Sequence, residues 1–112
     1  MPFSLIDGCR EFTIDKNVLS AECKKADGQT WVDSTIDLDQ YFGNIEGKFT
    51  WGEKGFSQSA DSISVVDGLL IAQLKTSSGK YMDDQVDLDV FFQNNDGVLE
   101  VKPASTSVSV DR

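Results

Sequence analysis

The sequence predicts an all-β domain in which one pattern is written twice and folded into a single body. Three observations carry this. The stretch DLDQYFGNIEGKFTW, starting at Asp37, is echoed by DLDVFFQNNDGVLEV, starting at Asp87. The apolar runs are short and partly alternating, as strands require, and no segment sustains the 3.6-residue stripe of a helix. The chain has 112 residues with 39% hydrophobic side chains. That is enough for one core, whereas two separate units of about 50 residues would each bury too little surface. Two copies are also too few for an open repeat array, so a closed, pseudo-twofold body is expected.

The first copy is expected over residues 3–51 and the second over 56–101, together one domain spanning 1–102. Phe3-Ser4 resembles Phe56-Ser57, with two extra residues in the first copy around Ile6-Asp7-Gly8. Val18–Cys23 and Leu69–Leu74 are the first clear strand signals, followed by turns at Ala26-Asp27-Gly28 and Ser77-Ser78-Gly79. Gln29–Val32 and Lys80–Met82 return as the second strands of two hairpins. Matching Cys9 to Ala60 aligns the copies up to residue 34, and a one-residue deletion near Thr35 restores register from Ile36 onward. Asp37 and Asp87 are placed to cap single helical turns at Asp39–Phe42 and Asp89–Phe92. Lys48–Trp51 and Val98–Val101 close each copy as strands, with Gly47 and Gly97 in the preceding turns. Residues 103–112 have no counterpart in the other copy and are expected to form a mobile tail.

Composition narrows the function. The formal charge is −9 with scattered basic residues, which argues against nucleic acid and anionic membranes as partners. No apolar run approaches the roughly 20 residues of a membrane-spanning helix. Nothing at the start reads as a basic stretch followed by an apolar one, so no signal peptide is expected, and the location follows as cytoplasmic or unconventionally secreted. With no histidine, Ser-His-Asp and Cys-His machinery is excluded from this chain, and a zinc site is improbable. The paired aspartates form no calcium loop, and nothing singles out a carboxylate pair for glycoside hydrolysis. No enzyme, cofactor or metal is expected.

The phrases Ser34-Thr-Ile-Asp-Leu-Asp39, Gly43-Asn-Ile-Glu-Gly-Lys-Phe-Thr-Trp51 and Val86-Asp-Leu-Asp89, repeated at this spacing, resemble the cyanovirin-N homologue family, in particular its fungal members. The similarity covers residues from about 3 to 101. It implies a cyanovirin-N-like fold whose halves are each completed by the other repeat. It further implies a lectin for α-linked mannose, such as α(1→2) mannobiose or high-mannose glycans. The state implied is a monomer, with a dimer of exchanged halves as the alternative.

By resemblance, the site on the second half comprises Gly43, Asn44, Glu46, Lys54, Gln58, Ser59, Lys75, Thr76 and Ser77. Gly43 departs from members that carry a carboxylate there, which should weaken binding. A second, weaker site at the opposite end would use Phe3, Ser4, Leu5, Lys24, Ala26, Asn94, Asn95 and Asp96, with Pro2, Asp27 and Gln93 beside them. There Leu5 stands where the other copy has Gln58. The resemblance also implies a disulfide between Cys9 and Cys23; reduced, buried thiols are the alternative if the chain stays in a reducing compartment.

Plainer readings stand beside these. Asn44 and Asn94 serve equally well as turn formers, Asp37, Asp39, Asp87 and Asp89 as caps, and Trp31, Trp51, Phe91 and Phe92 as core. The alternative function is a structural or interaction module that keeps the fold without binding sugar.

Overall fold

The computed structural model describes residues 3–102. Pro2 and the expected tail at 103–112 lie outside the described residues. The strands are β1 (Phe3–Ser4), β2 (Cys9–Asp15), β3 (Val18–Lys24), β4 (Trp31–Asp37), β5 (Phe42–Ile45) and β6 (Lys48–Trp51). The second copy gives β7 (Ala60–Val66), β8 (Leu69–Lys75), β9 (Tyr81–Asp87), β10 (Phe92–Asn95) and β11 (Val98–Val101). All pairing is antiparallel: β2-β3-β4 and β7-β8-β9 form matching sheets, β5-β6 is a hairpin, and β1 adds to the β10-β11 hairpin.

Strict alternation in β3 and β8 sends Leu19, Ala21 and Cys23, and likewise Leu70, Ala72 and Leu74, into the core. Type I′ geometry at Glu46-Gly47, Asp67-Gly68 and Asp96-Gly97, with positive φ at both central residues, matches the twist of the strands it joins. Bulges at Glu11 and Ser62, both in the left-handed region, shift the register of β2 on β3 and of β7 on β8.

The hairpins cross over. β5-β6, from the first copy, packs on the sheet of the second: the Phe49 N–H donates to Asp84 Oδ2 at 2.8 Å. β10-β11, from the second copy, packs on the sheet of the first: the Leu99 N–H donates to Ser34 Oγ at 3.0 Å. Between them lies an aromatic cluster. Trp51 is stacked between Tyr41 and Phe91, with Phe42 and Phe92 edge-on beneath it. Trp51 itself remains 39% exposed at its edge, while Phe42 and Phe92 are buried.

Asp37 and Asp87 cap single 3₁₀ turns at Leu38–Gln40 and Leu88–Val90, each accepting from the N–H two residues on. These turns start one residue before the expected Asp39–Phe42 and Asp89–Phe92 and leave Phe42 and Phe92 to open β5 and β10. Two further features differ from expectation. The extra residues of the first copy form a one-turn helix, α1 (Leu5–Gly8), capped by Ser4 Oγ. The single-residue difference between copies lies not beside Thr35 but in the preceding turn. Lys25 N–H closes on Thr30 O, whereas Thr76 N–H closes on Lys80 O, one residue sooner. Ser34 therefore stands opposite Ala21 as Asp84 stands opposite Ala72.

Cys9 and Cys23 are cross-strand neighbours with Cα atoms 4.1 Å apart, and they form a disulfide. Ala60 and Leu74 pair at the same place in the second sheet without a bond.

Candidate functional site

Each end of the body is one strand-turn held against a neighbouring hairpin by an asparagine strut. At the second-half tip, Asn44 Nδ2 donates to Ser59 Oγ and to the Lys75 carbonyl, both at 2.8 Å, while Asn44 Oδ1 accepts from Gly47 N–H at 2.8 Å. Three separate chain segments are thereby fixed by one amide. Glu46 Oε2 adds a bond from the Ser77 N–H at 3.0 Å. Thr76 Oγ1 accepts from Lys80 N–H and shares a hydrogen bond with Ser78 Oγ.

Within this frame Asn44 and Glu46 have structural duties, and Ser59 and Thr76 have partial ones. Gln58, Lys75 and Ser77 are exposed around it. Lys54 and Gln58 line an adjoining shallow hollow with Asp37, Asp39, Gln40 and Gly55. The site residues predicted from sequence are therefore divided between the strut cluster and this neighbouring hollow.

Gly43 does not fit its expected part. It is buried, and a Cβ there would collide with Glu53 Cβ and lie 3.0 Å from the Lys54 backbone nitrogen. The hairpin touches the linker at this point, so the position has no room for a carboxylate reaching outward.

The first-half tip repeats the scheme with a different outcome. Asn94 Nδ2 donates to the carbonyls of Gly8 and Lys24 at 3.0 and 2.8 Å, and its Oδ1 accepts from Gly97 N–H at 2.8 Å. Asp96 Oδ1 accepts from Ala26 N–H, as Glu46 does from Ser77. Here α1 closes over the strut: a Cβ on Gly8 would lie 2.6 Å from Asn94 Nδ2 and 2.5 Å from Phe3 Cβ. Asn94 is consequently 0% exposed, and so is Leu5. Neither can touch a ligand, which corrects their expected place in a sugar site. Ser4 caps α1, Asn95 donates to Glu100, and the Lys24 ammonium lies 4.9 Å from the Phe3 ring centre and 5.6 Å from that of Trp31.

Sequence reasoning missed Met82 and Ser78. Met82 packs against Gly47, where a Cβ would come within 2.7 Å of its Cγ. Its signal was present: Met82 pairs with the core residue Leu74 across the hairpin, which directs it to the same face.

The turn at Asp27 belongs to the first tip. Its carboxylate accepts from Thr30 Oγ1, Thr30 N–H and Gln29 N–H, which holds its pKa down at about 2. A depressed carboxylate supports the fold above its ordinary value, and that support is lost as pH falls through the folded-state value. The Gln29 and Thr30 amide resonances are therefore expected to hold steady from pH 7 to 4 and to titrate with a midpoint near 2. A midpoint near 4 in an acid titration followed by NMR would refute the capped turn.

A body with two matched sheets, exchanged hairpins and a strutted tip at each end belongs to the class of pseudo-twofold, all-β CVNH-fold domains. The CVNH domain family model matches residues 6–100. The chain belongs to this family of cyanovirin-N homologues. It is 40% identical over 84 residues to the cyanovirin-N homologue of Tuber borchii, covering 72% of this chain and 80% of that one. The Neurospora crassa homologue is 30% identical over 95 residues, 79% of this chain and 85% of that one. Among solved structures, a designed cyanovirin-N homologue lectin superposes with a TM-score of 0.80 at 33% identity, covering 89% of this chain and 100% of that one. Microvirin in complex with mannobiose superposes with a TM-score of 0.73 at 29% identity, covering 91% and 100%.

Proposed function

We propose that this protein is a lectin that binds α-linked mannose termini, such as α(1→2) mannobiose, through the second-half tip. One contrast carries the choice of tip: Asn44 is a partly open strut ringed by exposed Gln58, Lys75 and Ser77, whereas Asn94 is sealed beneath α1. Rigid backbone with outward amide, hydroxyl and ammonium groups suits a polyhydroxylated ligand. The similarity to a mannobiose-bound structure supports the sugar class. The protein acts by binding, without catalysis or cofactor. Each hydrogen bond to a sugar hydroxyl contributes about 1 kcal/mol net. A single tip is thus expected to bind at roughly micromolar to millimolar strength. High-mannose glycans are the natural partners, and the chain acts as a monomer, with a dimer of exchanged halves as the alternative state.

An NMR titration with α(1→2) mannobiose tests this. Shifts should cluster at Asn44, Gln58, Ser59, Lys75 and Thr76, and Gln58→Ala should weaken binding about fivefold, the equivalent of one hydrogen bond. Shifts confined to Phe3, Lys24 and Asn95 would transfer the site to the other tip. Silence toward every α-mannoside at millimolar concentration would leave a module that kept the fold without the sugar.

A further inference from the structure

A second, chemically different hollow opens on the flank where β2 packs against β7, on the side of α1 that carries Ile6. Its volume is about 820 Å³, within the range of pockets that take small organic ligands. Ile6, Phe12, Val65 and Val66 supply apolar walls, and the Cys9 side of the disulfide lies among them. Ile6 and Val66 are 46% and 56% exposed, unusual for large aliphatic groups sharing one recess.

The charges around this recess are unbalanced. Arg10 lines it, but its guanidinium is already engaged: Nε donates to Glu22 at 2.9 Å, and the group lies 3.7 Å from the Trp31 ring centre. The two carboxylates of the rim, Glu11 and Asp67, make no ion pair among the described residues. Glu11 stands at the bulge, with φ 56°, and Asp67 in the β7-β8 turn, with φ 48°. The recess therefore offers apolar walls with two unneutralised negative charges.

The other copy serves as an internal control. At the corresponding positions Asp61, Ser62, Asp15 and Lys16 replace Arg10, Glu11, Val66 and Asp67, and no counterpart of Ile6 exists. The pattern is thus not a by-product of the duplicated architecture. It arises where α1 seats Ile6 on the β7-β8 turn, its Cδ1 2.7 Å from where a Gly68 Cβ would stand.

We propose that this flank recess binds a small amphipathic amine, its apolar body between Ile6, Phe12 and Val66 and its ammonium between Glu11 and Asp67.

Phenethylammonium is a suitable probe, titrated into the full ¹⁵N-labelled chain beside phenethyl alcohol and phenylacetate. The expected result is saturable shifts at Glu11, Phe12, Val66 and Asp67 with the amine, with weaker or no response to the alcohol and none to the carboxylate. Glu11→Gln with Asp67→Asn should weaken amine binding about fivefold, as loss of two exposed ion pairs would, and Val66→Asp should reduce the preference for the aromatic amine over ammonium ion. Both changes are at exposed positions, and an unchanged spectrum elsewhere verifies folding. No shift at these amides with about 10 mM amine, a concentration that detects even millimolar binding, would overturn the proposal. So would an equal response to amine, alcohol and carboxylate. Saturating mannobiose should leave these signals unmoved, so this test stands apart from that of the sugar site.

Discussion

Asn94→Ala is expected to lower stability by about 3 kcal/mol, measured by denaturant unfolding. The substitution leaves the Gly97 N–H and the Gly8 and Lys24 carbonyls without their partner. A buried group that loses its partner costs about 1–3 kcal/mol. The Asn94 side chain lies beneath α1 with no exposure, where water cannot easily substitute. Asn44→Ala makes the same deletion at the other tip but should cost only about 1 kcal/mol, because that strut is partly open and water can replace the amide. Equal losses at the two positions would contradict the assigned difference in burial.

Cys9→Ala with Cys23→Ala is expected to cost about 3 kcal/mol. The bond closes a loop with a sequence separation of 14. Releasing a loop of about 15 residues restores roughly that much chain entropy to the unfolded state. Both side chains are also core, at 5% and 0% exposure, so some packing is lost as well. The second copy shows how the site manages without sulfur, with Ala60 opposite Leu74. Cys9→Ala with Cys23→Leu should therefore be more stable than the double alanine form. A reducing agent should lower the melting temperature of the native chain and leave both variants unchanged.

Much of this fold was legible because it rests on local chemistry. Alternation marked β3 and β8. Gly28, Gly47, Gly79 and Gly97, all with positive φ, marked the turns. Asp37 and Asp87 announced the 3₁₀ turns they cap. α1 was not legible as a helix, since four residues are too few for periodicity. The shift between copies was placed at Thr35 because matching Asp33 to Asp84 favoured that alignment, while the strand register shows the extra residue in the Lys25–Thr30 turn.

The site was less legible than the scaffold for a related reason. Asn44 and Asn94 are the same letter with the same hydrogen-bonding scheme. What separates an open strut from a sealed one is whether α1 lies above it, and that is a tertiary fact. Leu5 illustrates the point: aligned with an exposed glutamine, it is wholly enclosed.

Because each hairpin docks on the sheet of the other copy, the order of synthesis matters. A nascent chain that has just released Trp51 from the ribosome carries a hairpin whose seat, β7-β8-β9, is still held inside the exit tunnel. The first sheet must in turn wait for β10-β11, and Phe3 finds its partner Asn94 only once β10 has emerged. Such long-range closure is slow and leaves apolar strand faces uncovered in the meantime. Tyr41, Phe42 and Trp51 are the surfaces a cotranslational chaperone would have to shelter until the last hairpin arrives.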